Sequence, residues 1–236
     1  MTHRHLFVVA AFALLAGLSE GCSSPFTSET GTPARGDQIA ALQVKATAGN
    51  AEAQFSLGMA YEFGKGVPQD YAEAVSWYRK AAAQSHAGAQ YCLGYAYFLG
   101  QGVPQDDVQA AAWWRAAAGQ GFVRAQSGLA GMYERGEGVP EDDVQAVSWY
   151  RKAADQGDAP AQFELGRAYD HGKGVPLDIT EAYKWYSLAA SRAFVGYHKL
   201  YTETRDTLAK GMTPQQLADA QQRARAWTAD FEKRGK

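Results

Sequence analysis

Cysteine is nearly absent: Cys22 and Cys92 are the only two in 236 residues. A single body cysteine excludes an internal disulfide framework and any thiolate metal cluster. An excess charge of either sign is missing too. Lysine plus arginine number 23 against 25 aspartate plus glutamate, a formal charge of -2, and no basic block stands out. That balance gives no long-range attraction to nucleic acid or to an anionic membrane surface. No HExxH occurs, and no phosphate-binding glycine loop followed by lysine and serine. The longest uncharged apolar run, Leu6 to Leu18, is 13 residues, too few to span a bilayer as a helix.

What is present begins with that run. Thr2-His3-Arg4-His5 precedes it, and Ser19-Glu20-Gly21-Cys22-Ser23-Ser24 follows, the order of an export signal: a positive lead, an apolar core and small residues at a cleavage point. Gly21-Cys22 resembles a bacterial lipoprotein signal, in which the cysteine after the cut carries the lipid. The resemblance implies an envelope lipoprotein, at the outer membrane and facing the periplasm, held by a lipid anchor that does not span the bilayer. Glu20 and Ser19 depart from that pattern, so export as a periplasmic or secreted soluble protein with an unlipidated Cys22 is the alternative. Pro25, Gly31, Pro33 and Gly36 mark a flexible leader behind the signal.

The rest of the chain repeats itself. Gly-Val-Pro recurs at Gly66, Gly102, Gly138 and Gly174, always 36 residues apart. Ahead of each loop, Ala53, Leu57 and Tyr61 fall four apart, and their counterparts recur in every copy, which predicts one face of a helix of about 13 residues. Gly58, Gly94 and Gly166 sit inside that helix, where glycine costs about 1 kcal/mol. Repeated in register, with Ala130 in the third copy, this cost implies a close helix approach. Gly64, Gly100, Gly136 and Gly172 fit C-caps. After the loop, Asp70, Asp106, Asp142 and Asp178 each precede Glu or Gln by three residues, which predicts a capping box at the start of a second helix. Its aromatic pairs, Trp77-Tyr78, Trp113-Trp114, Trp149-Tyr150 and Trp185-Tyr186, belong to the core opposite those small residues.

The stretch "AQFSLGMAYEFGKGVPQDYAEAVSWYRKAAAQ" resembles the Sel1-like repeat family, relatives of the tetratricopeptide repeat. The resemblance implies an all-α fold, a right-handed α-solenoid of antiparallel helix pairs, and a scaffold or adaptor role. The expected divisions are 1–21 signal peptide, 22–37 leader, 38–50 N-terminal capping helix, repeats at 51–86, 87–122, 123–158 and 159–194, and C-terminal capping helices at 195–236. The last helix, opened by Thr213 and Pro214, is expected to close the open end.

A candidate binding face comes from what varies between copies. Positions 52, 56, 59 and 63 form a second stripe on the first helix. It reads Glu52-Ser56-Met59-Phe63, then Gly88-Cys92-Tyr95-Leu99, Arg124-Gly128-Gly131-Arg135 and Pro160-Glu164-Arg167-His171. First helices of this repeat type line the inner curve, so a stripe freed from packing would form a groove. It runs from apolar at Met59, Phe63, Tyr95 and Leu99 to basic at Arg124, Arg135 and Arg167, which fits a peptide or protein partner with apolar and acidic parts. The plainer reading is an unconstrained solvated face. Catalysis has little to stand on: His86, His171 and His198 share no ligand spacing, and the aspartates are spent as caps. The reading is a protein-binding scaffold, not an enzyme, without cofactor or metal. The alternatives are a structural envelope protein lacking a dedicated partner, or a cell-wall hydrolase.

Overall fold

The computed structural model describes residues 35–235, with side chains from Gln38 onward. The expected export signal, Cys22 and all but the end of the expected leader lie outside the described residues. The solenoid occupies the compact unit Ile39–Lys236.

Local chemistry draws its helices. A first helix in each repeat, α2 (Ala51–Phe63), α4 (Ala87–Leu99), α6 (Val123–Arg135) and α8 (Ala159–His171), ends on a left-handed glycine, as at Gly64 with φ 64°. Such a conformation costs any other residue, and it frees the chain to turn back. The second helices are α3 (Tyr71–Ala83), α5 (Asp107–Gly119), α7 (Asp143–Ala154) and α9 (Ile179–Arg192), each begun by an aspartate whose carboxylate accepts backbone N–H groups. Each first helix packs on its own second helix, and each second helix packs on the first helix of the next repeat. The result is an all-α solenoid of paired antiparallel helices. The helix α1 (Arg35–Thr47) precedes the array and buries Ala46 with Ala53 and Leu57. Following the array come α10 (Val195–Ala209) and α11 (Pro214–Arg234).

Within a pair, glycine meets an aromatic ring. A Cβ on Gly58 would lie 2.6 Å from the Tyr78 ring, on Gly94 2.4 Å from Trp114 and on Gly166 2.7 Å from Tyr186. The intrinsic penalty of a mid-helix glycine is therefore offset by ring burial that no larger residue would permit. Leu57, Leu93, Leu129 and Leu165 are fully buried along the same seam.

Between repeats the fastening is backbone-deep. The second loop glycine lies against the first turn of the preceding second helix: a Cβ on Gly102 would be 2.2 Å from the Tyr71 carbonyl oxygen, and on Gly138 2.0 Å from that of Asp107. A buried glutamine ladder runs beside it. Gln54, Gln90, Gln126 and Gln162 donate through Nε2 to the carbonyls of Ala46, Ala82, Ala118 and Ala154, at the end of the preceding second helix. Each of those carbonyls also accepts a backbone N–H from the turn that follows, so the amide takes up its second lone pair. Gln84, Gln120 and Gln156 then donate to the oxygens of the first three. In the fourth rung Arg192 stands where the donor glutamine would be, and Gln162 Oε1 is left buried and unpartnered.

One expectation needs correction. The reciprocal capping box forms at Thr213–Gln216, but the four repeat aspartates make only their own half of it. The cause is competition: the backbone N–H of Asp70, Asp106, Asp142 and Asp178 is already donated to the carbonyl of Tyr61, Tyr97, Tyr133 and Tyr169. Both α10 and α11 pack on α9; Trp227 meets Trp185 edge-on at 6.1 Å, and Phe231 reaches Gly157 behind α7. The aromatic face of α11 finds its deepest partners along α9, so Phe194, Val195 and Leu200 are left exposed.

Candidate functional site

The stripe on the first helices is not a free surface. Tyr95 is 8% exposed, Met59 and Leu99 are half-buried, and Met59 packs on the core cluster around Leu93. Phe63 is open at 38%, with the Lys65 ammonium 5.4 Å from its ring centre. The charges are largely spoken for. Glu52 pairs with His86 at 3.0 Å, and Arg135 with Glu137 at 2.9 Å. Arg167 pairs with Glu164 at 2.6 Å and lies 4.0 Å from Glu134. Arg124 is half-buried; burial raises the pKa of Tyr91 and of Asp158, and the Arg124 charge opposes both shifts. His171 contacts the Arg167 carbonyl through Nδ1 at 3.0 Å, as a residue at a helix C-terminus should.

Where the stripe passes from one repeat to the next, two open notches appear, and they are the same notch two repeats apart. The first, about 220 Å³, is lined by Glu62, Tyr78, Cys92, Tyr95 and Gln101. The other, about 410 Å³, is lined at the corresponding positions by Glu134, Tyr150, Glu164, Arg167 and Lys173, with His171 at its edge. In both, a tyrosine hydroxyl from the second helix donates to a glutamate of the first: Tyr78 to Glu62, and Tyr150 to Glu134 at 2.9 Å. Between them the corresponding positions hold Phe98 and Trp114, whose rings meet at 5.4 Å and leave no such carboxylate.

Electrostatics separates the two. Burial pushes the Glu164 carboxyl up to about 7, against the opposing pull of Arg167. Burial also raises Glu62, with the Tyr78 hydroxyl pulling the other way. No cation pairs with Glu62 among the described residues, and the Tyr95 hydroxyl beside it is buried without a partner.

A family model described as "Sel1 repeat" matches residues 51–86, 87–122, 123–158 and 159–194, more than half of the chain. The chain belongs to the Sel1 repeat family. Its solved relatives agree. The crystal structure of c5321, a protective antigen of uropathogenic Escherichia coli with an SLR fold, matches with TM-score 0.75 and 31% identity over 94% of this chain. The chain spans about half of that antigen, 46% of its length. A Sel1 repeat protein from Oxalobacter formigenes matches with TM-score 0.69 and 32% identity, covering 84% of this chain and 79% of the other. No curated protein matches.

Against that family background the remaining groups have structural work. His86 caps α4, with Nδ1 accepting from the Ala89 N–H, and stacks on Phe55 at 4.6 Å. Among the described residues no group of three or more His, Cys, Asp or Glu could hold a metal, and no helix is long and apolar enough to cross a membrane. Sequence reasoning missed Glu62 and Glu134, the two acids that define the notches. Their signal was legible: Glu62, Phe98, Glu134 and Asp170 differ in chemistry at one repeat position, just outside the stripe.

Proposed function

We propose that this Sel1 solenoid binds a protein partner through an extended segment laid along the first-helix stripe. Proteins of Sel1 and tetratricopeptide type generally act as protein–protein interaction scaffolds. The observation that carries the reading here is the pair of equivalent open notches, set in a stripe that changes from copy to copy while the core behind it repeats. Apolar side chains at Met59, Phe63 and Leu99 would take the partner's apolar residues. A basic end is less available than the sequence implies, because Arg135 and Arg167 are engaged by Glu137 and Glu164. That internal pairing favours the second reading, a structural solenoid without a dedicated partner. The right-handed coil, the repeat divisions at 51–86 to 159–194 and the capping roles of the end helices belong to the same proposal.

The lipid anchor is a separate part of it. Gly21-Cys22 supports attachment at Cys22 and an envelope location, with soluble export as the alternative. Labelling with an alkynyl fatty acid tests this: the native chain should carry the label and Cys22→Ser should not. For the binding role, capture with the full chain is compared with a Phe63→Ser/Leu99→Ser variant of unchanged helical circular dichroism. A partner held only by the native chain supports the scaffold. Identical captures would put binding elsewhere, and no capture would favour the structural reading.

A further inference from the structure

The notch between the first two repeats is half of an ion pair whose complete form is present elsewhere in the same molecule. At the later notch, between the third and fourth repeats, Arg167, on α8, brings its guanidinium to Glu164 at 2.6 Å and to within 4.0 Å of Glu134. Glu134 is the counterpart of Glu62, and Arg167 that of Tyr95. In the first notch, therefore, the residue that would supply the cation is a tyrosine. Its hydroxyl lies buried, 8% exposed as a residue, lining the notch and bonded to nothing. Glu62 is held in place by the Tyr78 hydroxyl, and no cation faces it among the described residues. A half-buried carboxylate held by one hydroxyl, beside a second hydroxyl that is buried and unpaired, is improved by a group that donates to both.

We propose that this notch receives one lysine side chain from the bound segment, its ammonium donating to Glu62 and to the Tyr95 hydroxyl. Three features select lysine. Charge complementarity requires a cation, as the sister notch demonstrates with its own arginine. Size favours the smaller head group, since this notch is about half the volume of the later one, and a compact ammonium needs less width than a planar guanidinium. The rim is apolar and aromatic, with Tyr71 beside the opening and Phe63 and Leu99 farther along the stripe, which suits an alkyl stem and its neighbours. This rests on the stripe being the binding face, and it reverses the sign expected from the sequence: the partner brings a basic residue to the first repeats. The later notch, with its own arginine, makes no such demand.

The test uses a random dodecapeptide display library selected on the full chain. One selected peptide and its lysine-to-norleucine copy are then titrated against native, Glu62→Gln, Tyr95→Phe and Glu134→Gln proteins. Glu62→Gln keeps an oxygen for the Tyr78 hydroxyl, and thermal circular dichroism reports whether each variant is folded. The expected results are a lysine enriched at one peptide position and affinity lower by on the order of tenfold for norleucine or for Glu62→Gln. A smaller loss is expected for Tyr95→Phe and none for Glu134→Gln. Selected peptides without an enriched lysine, or equal binding to native and Glu62→Gln proteins, would overturn the lysine site while leaving the stripe as the binding face. Failure to select any peptide would overturn the binding face and the lysine site together.

Discussion

The notches at repeats one–two and three–four share a backbone, a Tyr–Glu hydrogen bond and a place in the repeat, yet they are in opposite electrostatic states. In the later one Arg167 answers two glutamates; in the earlier one Glu62 and the Tyr95 hydroxyl wait for a donor. Between them Phe98 and Trp114 fill the corresponding space with rings. A repeat scaffold fixes where a site can form, and a few substitutions per copy then decide whether that place is filled, self-neutralised or open.

The comparison can be broken most severely at the scaffold both notches share. Gly138→Ala puts a Cβ 2.0 Å from the Asp107 carbonyl at φ +67°, so it should cost about 3 kcal/mol or more and lower the melting temperature by roughly 6–12 °C. Gly211→Ala, with nothing nearer than 3.6 Å, should change little in the same calorimetric scan. Removing the internal cation comes next. Arg167→Met strands Glu134 and Glu164 together and should destabilise the chain by about 1–2 kcal/mol at pH 8, and by less at pH 5, in urea titrations.

A smaller effect follows from Glu164 itself. Its folded-state pKa, about 7, is above the ordinary 4.5, so the folded chain holds that proton more tightly than the unfolded one. This contribution to stability is complete below about pH 4.5 and is lost as pH rises through about 7. Burial raises Glu62 and Asp158 in the same direction. Glu164→Gln should therefore flatten the decline in stability between pH 5 and 8 by roughly 2 kcal/mol, measured by denaturant midpoints across that range. The smallest change sharpens the other notch. Tyr95→Phe deletes a buried hydroxyl with no partner and should stabilise the free protein by about 0.5–1 kcal/mol.

Much of the fold was readable because its constraints lie within one 36-residue unit. Gly58 opposite Tyr78, Asp70 as a cap and Gly64 as a terminator each follow from neighbours close in sequence. Most of what escaped depends on partners one repeat away. The glutamines at 54, 90, 126 and 162 repeat as clearly as the glycines, but a glutamine reads as surface until the preceding helix places a carbonyl 3.0–3.4 Å from its amide. The second half of the capping box fails inside its own repeat, the N–H being taken by a tyrosine carbonyl of the first helix. At the binding stripe, charge was legible and pairing was not. Arg167 has Glu164 three residues before it on the same helix, but Glu134, in the preceding repeat, comes beside the pair only in the fold. The path of α11 also lay beyond local pattern, since Trp227 and Phe231 choose α9 and the end of α7 only in three dimensions.

The most direct test of the account places a photo-crosslinking amino acid at Phe63, on the stripe, and separately at Val144, exposed on α7, in the full chain inside intact cells. The expected result is a discrete protein adduct from position 63 that disappears when Glu62→Gln is added, and none from position 144. The same adducts from both positions, or none from either, would contradict a partner bound along the first-helix stripe.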